Sequence, residues 1–229
     1  MLHTFFHQKC SVLNLAIFDL DNTLLGGDSD HLWGQFLIEQ GIVDGVWYER
    51  ENQRYYAEYL AGTLNIFEFL AFALAPLAAH EMPMLLNWRE QFVRDKILPI
   101  ILPAARELLR SHRQQSHTLM IITATNLFVT EPIAAELGVD HLLATTPEQT
   151  QGRYTGRVSG YPCFREGKVH NLNQWLSQRG MNLASSWFYS DSHNDLPLLE
   201  VVTHPIAVDP DPTLTQHATA KGWPIISLR

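Results

Sequence analysis

Asp19 and Asp21, in the stretch Asp19-Leu20-Asp21-Asn22-Thr23, follow the apolar run Leu15-Ala16-Ile17-Phe18. A short run of this kind reads as a buried strand. While the backbone stays extended, positions i and i+2 point the same way, so the two carboxylates converge past the strand's C-terminal end. That edge is where open α/β sheets bind ligands. Two like charges so close are costly unless a cation or a shared proton relieves them. A hard divalent cation with oxygen ligands is the simplest relief. A polar strand-to-loop turn accounts for the same five residues with no chemistry at all.

Three later segments bear on that choice. Leu119-Met120-Ile121-Ile122 is a second apolar run; it ends on Thr123 and is followed by Ala124 and Thr125. Lys168 stands behind Gly167 after a turn-rich stretch. Trp187-Phe188-Tyr189 is a third run, and it ends in Ser190-Asp191-Ser192-His193-Asn194-Asp195. Three strand-like runs therefore each deliver polar or acidic groups at their C-terminal ends. The Thr123 hydroxyl and the backbone N–H groups of Ala124 and Thr125 suit phosphate oxygens at a helix start. Lys168 offers a fixed positive charge where negative charge must be neutralised. Taken singly, the threonine is an ordinary strand end and the lysine an ordinary surface residue; the ordered set gives them weight.

That ordered set resembles the haloacid dehalogenase-like superfamily of phosphohydrolases, in its phosphoserine-phosphatase-like branch, which carries a helical cap between the first and second motifs. Asp19, Asp21 and Thr23 match the first motif, Thr123 the second, Lys168 the third, and Asp191 with Asp195 the fourth. One departure is Ser190, where that branch usually has glycine. The resemblance implies a Mg²⁺-dependent phosphomonoester hydrolase working on a small phosphorylated metabolite. It assigns Asp19 as the nucleophile, forming an aspartyl-phosphate that splits one hard displacement into two. It makes Asp21 the general acid and base. The catalytic set is then Asp19, Asp21, Thr123 and Lys168, and the metal set is Asp19, Asp21, Asp191 and Asp195. Asp19 and Asp191 are the direct carboxylate ligands, and Asp21 contributes through its backbone carbonyl. Asp195 holds a metal-bound water or orients Lys168, and it also suits a helix N-terminus. Ala124, Thr125, Asn194 and Asp28 are the expected substrate contacts. A phosphotransferase or mutase would use the same nucleophile but exclude water. A silent phospholigand-binding protein would normally have lost one of the acids, and all are present.

The substrate's leaving group is read from what the cap carries. Asp28 stands nine residues after Asp19, where phosphoserine phosphatases place an acid for the substrate amine. Those enzymes also use a cap arginine for the substrate carboxylate, yet no Lys or Arg occurs from Tyr55 to Trp88. A buried carboxylate without a cation is expensive. Phosphoserine is thus less expected, and an amino-alcohol phosphate or another small phosphomonoester stands level with it. The stripe Tyr55, Tyr56, Tyr59, Phe67, Phe69, Phe72 either lines such a pocket or packs helix on helix. His193 either approaches the substrate or faces solvent.

Alternating strand and helix signals predict an α/β fold, with a Rossmann-like parallel sheet and helices on both faces. From His31 to about Trp88 the apolar spacing is helical throughout. The expected division is a discontinuous core, 1–27 and 100–229, with an all-helical cap at 28–99, joined at Gly26-Gly27 and Pro99 to Pro103. A hairpin is predicted over Tyr154 to Gly160. The chain of 229 residues carries a net charge of −8, which argues against nucleic acid and anionic membrane surfaces as partners. Cys10 and Cys163 fit no metal motif or disulfide framework. The absence of a signal-peptide pattern, or of a run near the ~20 apolar residues of a span, makes a cytoplasmic monomer or homodimer the expectation.

Overall fold

A computed structural model describes residues 14–229; Cys10 and the rest of the lead-in lie outside them. Seven strands form one sheet: β1 (Leu15–Phe18), β2 (Thr118–Asn126), β3 (His141–Thr150), β4 (Arg153–Ser159), β5 (Ser186–Ser190), β6 (His204–Val208) and β7 (Ile225–Ile226). Their order is β4-β3-β2-β1-β5-β6-β7. All neighbours run parallel except β3 and β4. Between β1 and β2 come α1 (Ser29–Glu39), α2 (Gly45–Leu60), α3 (Ile66–Ala79), α4 (Met82–Phe92) and α5 (Pro103–Gln114). Then α6 (Leu127–Leu137) joins β2 to β3, α7 (Glu166–Arg179) joins β4 to β5, α8 (Leu196–Leu199) joins β5 to β6, and α9 (Pro212–Lys221) joins β6 to β7.

β1 is buried on both faces, as a central parallel strand must be. Its alternation feeds two cores. Ala16 and Phe18 join Leu119 and Ile121 on one face, under α1, α5 and α6. Leu15 and Ile17 join Met120 and Ile122 on the other, closed by Leu172, Trp175, Leu198 and Leu214 from α7, α8 and α9.

The stretch expected to be all-helical is helical. After α4 the chain tightens through one wide turn at Val93–Ile97 and one narrow turn at Leu98–Ile100, then returns to the sheet. Entry and exit are stitched together: Gly26 N–H donates to Ile100 O at 2.7 Å, and Leu102 N–H donates to Leu24 O at 3.1 Å. The insertion is also rooted in the first core. Trp33 packs edge-on to Phe92 at 5.1 Å and to Phe128 of α6 at 5.9 Å. α2 and α3 form the outer layer, with Phe72 against Tyr48 at 4.3 Å and Tyr55 at 5.1 Å.

Two elements differ from the expectation. The hairpin is longer and earlier, pairing β3 with β4 around Gln151-Gly152, both at positive φ. That geometry is the one two-residue hairpin turns require. Gly156, which drew the prediction, lies within β4 and is itself at φ +81, a left-handed conformation that favours glycine. The second is α9, unforeseen although its cues are local. Asp211 caps it by accepting from Leu214 N–H, and Pro212 fills its first turn. Among the described residues no single helix is long and apolar enough to cross a membrane.

Candidate active site

β1 pairs with β2 on one side and β5 on the other, so it lies at the point where the sheet's strand order reverses. Phe18 aligns with Ile121 and with Tyr189. Asp19, Thr123 and Asp191 therefore leave the sheet at the same edge, in the crevice that such a reversal opens.

Lys168 is the centre of this edge. It is 3% exposed, and its Nζ donates to Asp19 Oδ1 at 2.7 Å and to Asp195 Oδ2 at 2.8 Å. Burial alone would lower its ammonium's pKa, but Asp19 and Asp195 more than reverse this and hold the cation well above the ordinary range. Gly167 sets the lysine's place. A Cβ at Gly167 would fall 2.0 Å from Pro162 O, so α7 starts beneath the preceding loop only because that residue has no side chain. Asp195 is fully engaged, since Ser190 Oγ also donates to its Oδ2 at 2.7 Å. Of the two jobs expected for Asp195, its geometry matches holding Lys168. Ser190, the departure from the family pattern, has found a use as its anchor.

This arrangement gives a stability prediction. Lys168→Met leaves Asp19 and Asp195 buried without their cation. Breaking one side of a buried ion pair costs about 3–5 kcal/mol. The urea midpoint at pH 7.5 should fall accordingly, and an unchanged midpoint would mean the carboxylates are hydrated rather than enclosed.

Asp21 turns toward the insertion. Its Oδ1 accepts from Ser29 N–H at 2.6 Å and its Oδ2 from Thr125 Oγ1 at 2.8 Å, with Thr123 Oγ1 farther off at 3.5 Å. Burial, reinforced by Asp28, pushes its carboxyl up to about 7. Burial likewise pushes Asp19 up to about 7, against the pull of Lys168. Asp191 rises well above the usual range through burial and then Asp19; it accepts from Thr23 Oγ1 at 3.1 Å. Thr125 N–H bonds to Thr123 Oγ1 at 3.2 Å, so of the expected phosphate donors it is already committed. The register with β3 shifts between Thr123 and Asn126, and Ala124 lies within that irregularity.

The site holds more acid than cation. Among the described residues, Asp19, Asp21, Asp28, Asp30 and Asp195 line one pocket in which Lys168 is the sole Lys or Arg. No three acidic, histidine or cysteine side chains among the described residues close around a single point. The surplus of crowded carboxylates is what a hard divalent cation with oxygen ligands such as Mg²⁺ would relieve.

Asp28 lines the pocket, and it has a structural task that the sequence reading did not assign it. Its Oδ1 accepts from Asp30 N–H at 3.0 Å and His31 N–H at 2.8 Å, capping α1. Burial pushes its carboxyl up. Asn194 is spent on the insertion: Nδ2 donates to Tyr59 O at 3.1 Å, while Oδ1 accepts from Arg165 Nε at 3.0 Å. Arg165 also donates to Gly62 O. His193 neither reaches into the pocket nor faces open solvent. Its Nδ1 meets Asp211 Oδ2 at 2.7 Å, and its Nε2 lies where a Cβ on Gly62 would be, 2.5 Å away. Gly62, at φ +69, thus lets the α2–α3 turn seat on the acidic loop. Of the aromatic stripe, Tyr55, Tyr56, Tyr59 and Phe69 line the pocket, Phe72 is packing, and Phe67 is exposed.

The family model for haloacid dehalogenase-like hydrolases matches residues 16–200. The chain belongs to that family. Among its relatives, a protein named histidinol-phosphatase from Neisseria meningitidis serogroup C (strain 8013) is 44% identical over 220 residues, covering 94% of this chain and 99% of the relative. A crystal structure of a protein of unknown function from Bordetella pertussis Tohama I superposes with a TM-score of 0.90 at 46% identity, covering 96% and 100% of the two chains. A phosphoserine phosphatase captured as a phospho-aspartyl intermediate analogue shares the fold, with a TM-score of 0.69 at 19% identity over 95% and 94%. The haloacid dehalogenase-like assignment therefore rests on sequence over most of the chain, and the fold agrees.

Proposed function

We propose that this member of the haloacid dehalogenase-like hydrolases is a Mg²⁺-dependent phosphatase of a small amino-alcohol phosphate, with histidinol phosphate as the favoured substrate. The observation that carries the choice is the charge of the leaving-group side. Acids and aromatics line it, and Lys168 is held between Asp19 and Asp195. Arg165 is occupied by Asn194 and Gly62. A phosphoserine carboxylate would meet Asp28 and Asp30 with no counter-charge, whereas an ammonium would be welcome there. The name of the Neisseria relative, which acts on an amino-alcohol phosphate, supports the same reading.

The placement of the residues supports the chemistry that the family resemblance assigns them. Asp19 keeps Oδ1 on Lys168 and attacks phosphorus with its other oxygen, so a P–O bond forms at Asp19 and the ester P–O bond breaks. Asp21, protonatable near neutrality, gives its proton to the departing alkoxide. It then takes one from water as that water attacks phosphorus and returns Asp19 to the carboxylate. Thr123 and the Ala124 N–H are assigned to the transferring phosphoryl oxygens, and Lys168 balances their charge. Mg²⁺, held by Asp19, Asp191 and the Asp21 carbonyl, would neutralise phosphoryl oxygens when bound. The helical insertion acts as a cap that shuts over the leaving group.

A substrate panel tests this. Purified protein with Mg²⁺ should hydrolyse histidinol phosphate with kcat/KM at least about tenfold above phosphoserine, a difference of ~1.4 kcal/mol. Asp28→Asn preserves the cap, since asparagine serves there equally well. It should lower the ratio of kcat/KM for histidinol phosphate to that for an uncharged aryl phosphate by about tenfold. Preference for phosphoserine would overturn the amino-alcohol reading, and an unchanged ratio would remove Asp28 from amine recognition.

A further inference from the structure

The first turn of α1 and the facing side of α2 leave three polar groups without protein partners in one wall of the pocket. The Asp30 side chain makes no hydrogen bond or ion pair among the described residues, although it lines the pocket. His31 lies beside it, stacked on Tyr56 at 4.6 Å and 25°, and its Nδ1 is buried without a partner. Asn52 is 4% exposed; its Nδ2 donates to His31 O at 3.0 Å, which fixes the amide's orientation and leaves Oδ1 unpaired. A buried polar atom left unpaired costs free energy; His31 Nδ1 is one, and it stands beside two further groups that no protein atom engages.

All three groups can hydrogen-bond a ligand. The Asn52 carbonyl accepts, burial lowers the His31 pKa so that its neutral ring offers one donor and one acceptor nitrogen, and the Asp30 carboxyl accepts and, when protonated, also donates. Asp30 is held without a counter-charge: burial, then Asp28 and Asp21, pushes its carboxyl well up. Tyr55, Tyr56 and Phe69 add flat apolar surface. Open hydrogen-bonding groups, the Asn52 carbonyl among them, backed by aromatic faces fit a planar ring that carries an N–H.

We propose that Asp30, His31 and Asn52 form a second recognition subsite, separate from the ammonium position at Asp28, that selects substrates whose leaving alcohol bears a heteroaromatic N–H group. This deepens the amino-alcohol reading and rests on it. The ring stacks against the tyrosines while its nitrogens meet the polar groups that the protein leaves open. Specificity then comes from unpaired buried groups, which penalise a ringless substrate more than a good contact rewards the right one.

The test compares histidinol phosphate with alaninol phosphate, the same amino-alcohol ester with hydrogen in place of the imidazole. Both carry the ammonium, so only the ring differs. Wild-type protein should favour histidinol phosphate, and Asp30→Asn should lower the ratio of the two kcat/KM values about tenfold, chiefly through KM. His31→Phe keeps the stack on Tyr56 but removes Nδ1, and should lower the same ratio. A purely structural role for either residue would reduce turnover of both substrates together and leave the ratio where it was; that result in both variants overturns the subsite. If wild-type protein prefers amine-bearing esters to phosphoserine but does not distinguish the ring, the subsite falls and the amino-alcohol reading stands. No turnover of either amine-bearing ester overturns both.

Discussion

Asp19→Asn should abolish phosphate release, with turnover at least about a thousandfold below the parent, or ~4 kcal/mol of barrier. The amide is close to the carboxylate in shape, but it lacks the anionic oxygen that attacks phosphorus. Folding should survive the change. Lys168 keeps Asp195 as a partner at 2.7 Å. The substitution also removes one of several crowded acids, and burial already holds the Asp19 carboxyl up at about 7. The melting temperature of the metal-free variant should therefore equal or exceed that of the parent. Phosphate release at saturating substrate, with a thermal melt of the same sample, checks both halves. Parent-like turnover would take the nucleophile's role away from Asp19.

Excess chelator should bring activity down to background, and added Mg²⁺ should restore it. The acid surplus at the sheet edge makes a companion result in stability. Asp19 and Asp21 sit near 7 in the fold and at 3.8 ordinarily. Between those values the folded protein retains protons that the unfolded chain has released, so these two groups make stability fall as pH rises from about 4 to about 7. Above about 7 their contribution levels off. A bound dication replaces the protons as counter-charge. Denaturation midpoints taken without metal should drop across this window, and Mg²⁺ should flatten the slope and raise the midpoint. Saturation at a hundred times Kd is worth about 2.7 kcal/mol. Full activity in chelator would exclude a metal role for Asp19 and Asp191, and an unchanged slope would exclude Mg²⁺ as their counter-charge.

The core was readable in the sequence because its signals are local. β1, β2 and β5 each show a short apolar run that breaks into polar residues, and parallel neighbours bring those breaks to one edge. Asp19, Asp21, Thr123, Lys168 and Asp195 meet there as the ordered motifs implied. Partnerships across the chain were not readable. Nothing local announces that Arg165, at φ 50, grips Asn194 and a carbonyl of the insertion. The same holds for His193, whose clamp on Asp211 spans 18 residues. Asp30 and His31 were findable: they open a helix two and three residues beyond Asp28, and a helix that starts at a pocket turns its first side chains toward it. Attention to Asp28 as a ligand contact hid its cap geometry and, with it, these neighbours. The β3–β4 turn is hard to place because Gly156 and Gly160 carry a stronger turn signal than Gln151-Gly152, yet both of those glycines sit at positive φ outside the turn.

Gly167 touches no reacting group, yet inherited change there would be unforgiving. Every missense change of its codon adds at least a Cβ, and the nearest obstacle is the main-chain oxygen of Pro162 rather than a side chain that might swing aside. Such a variant would lose the enzyme through the misplacement of Lys168 alone, with every reacting residue still spelled correctly in the gene. A survey that ranks positions by closeness to phosphorus would score it harmless.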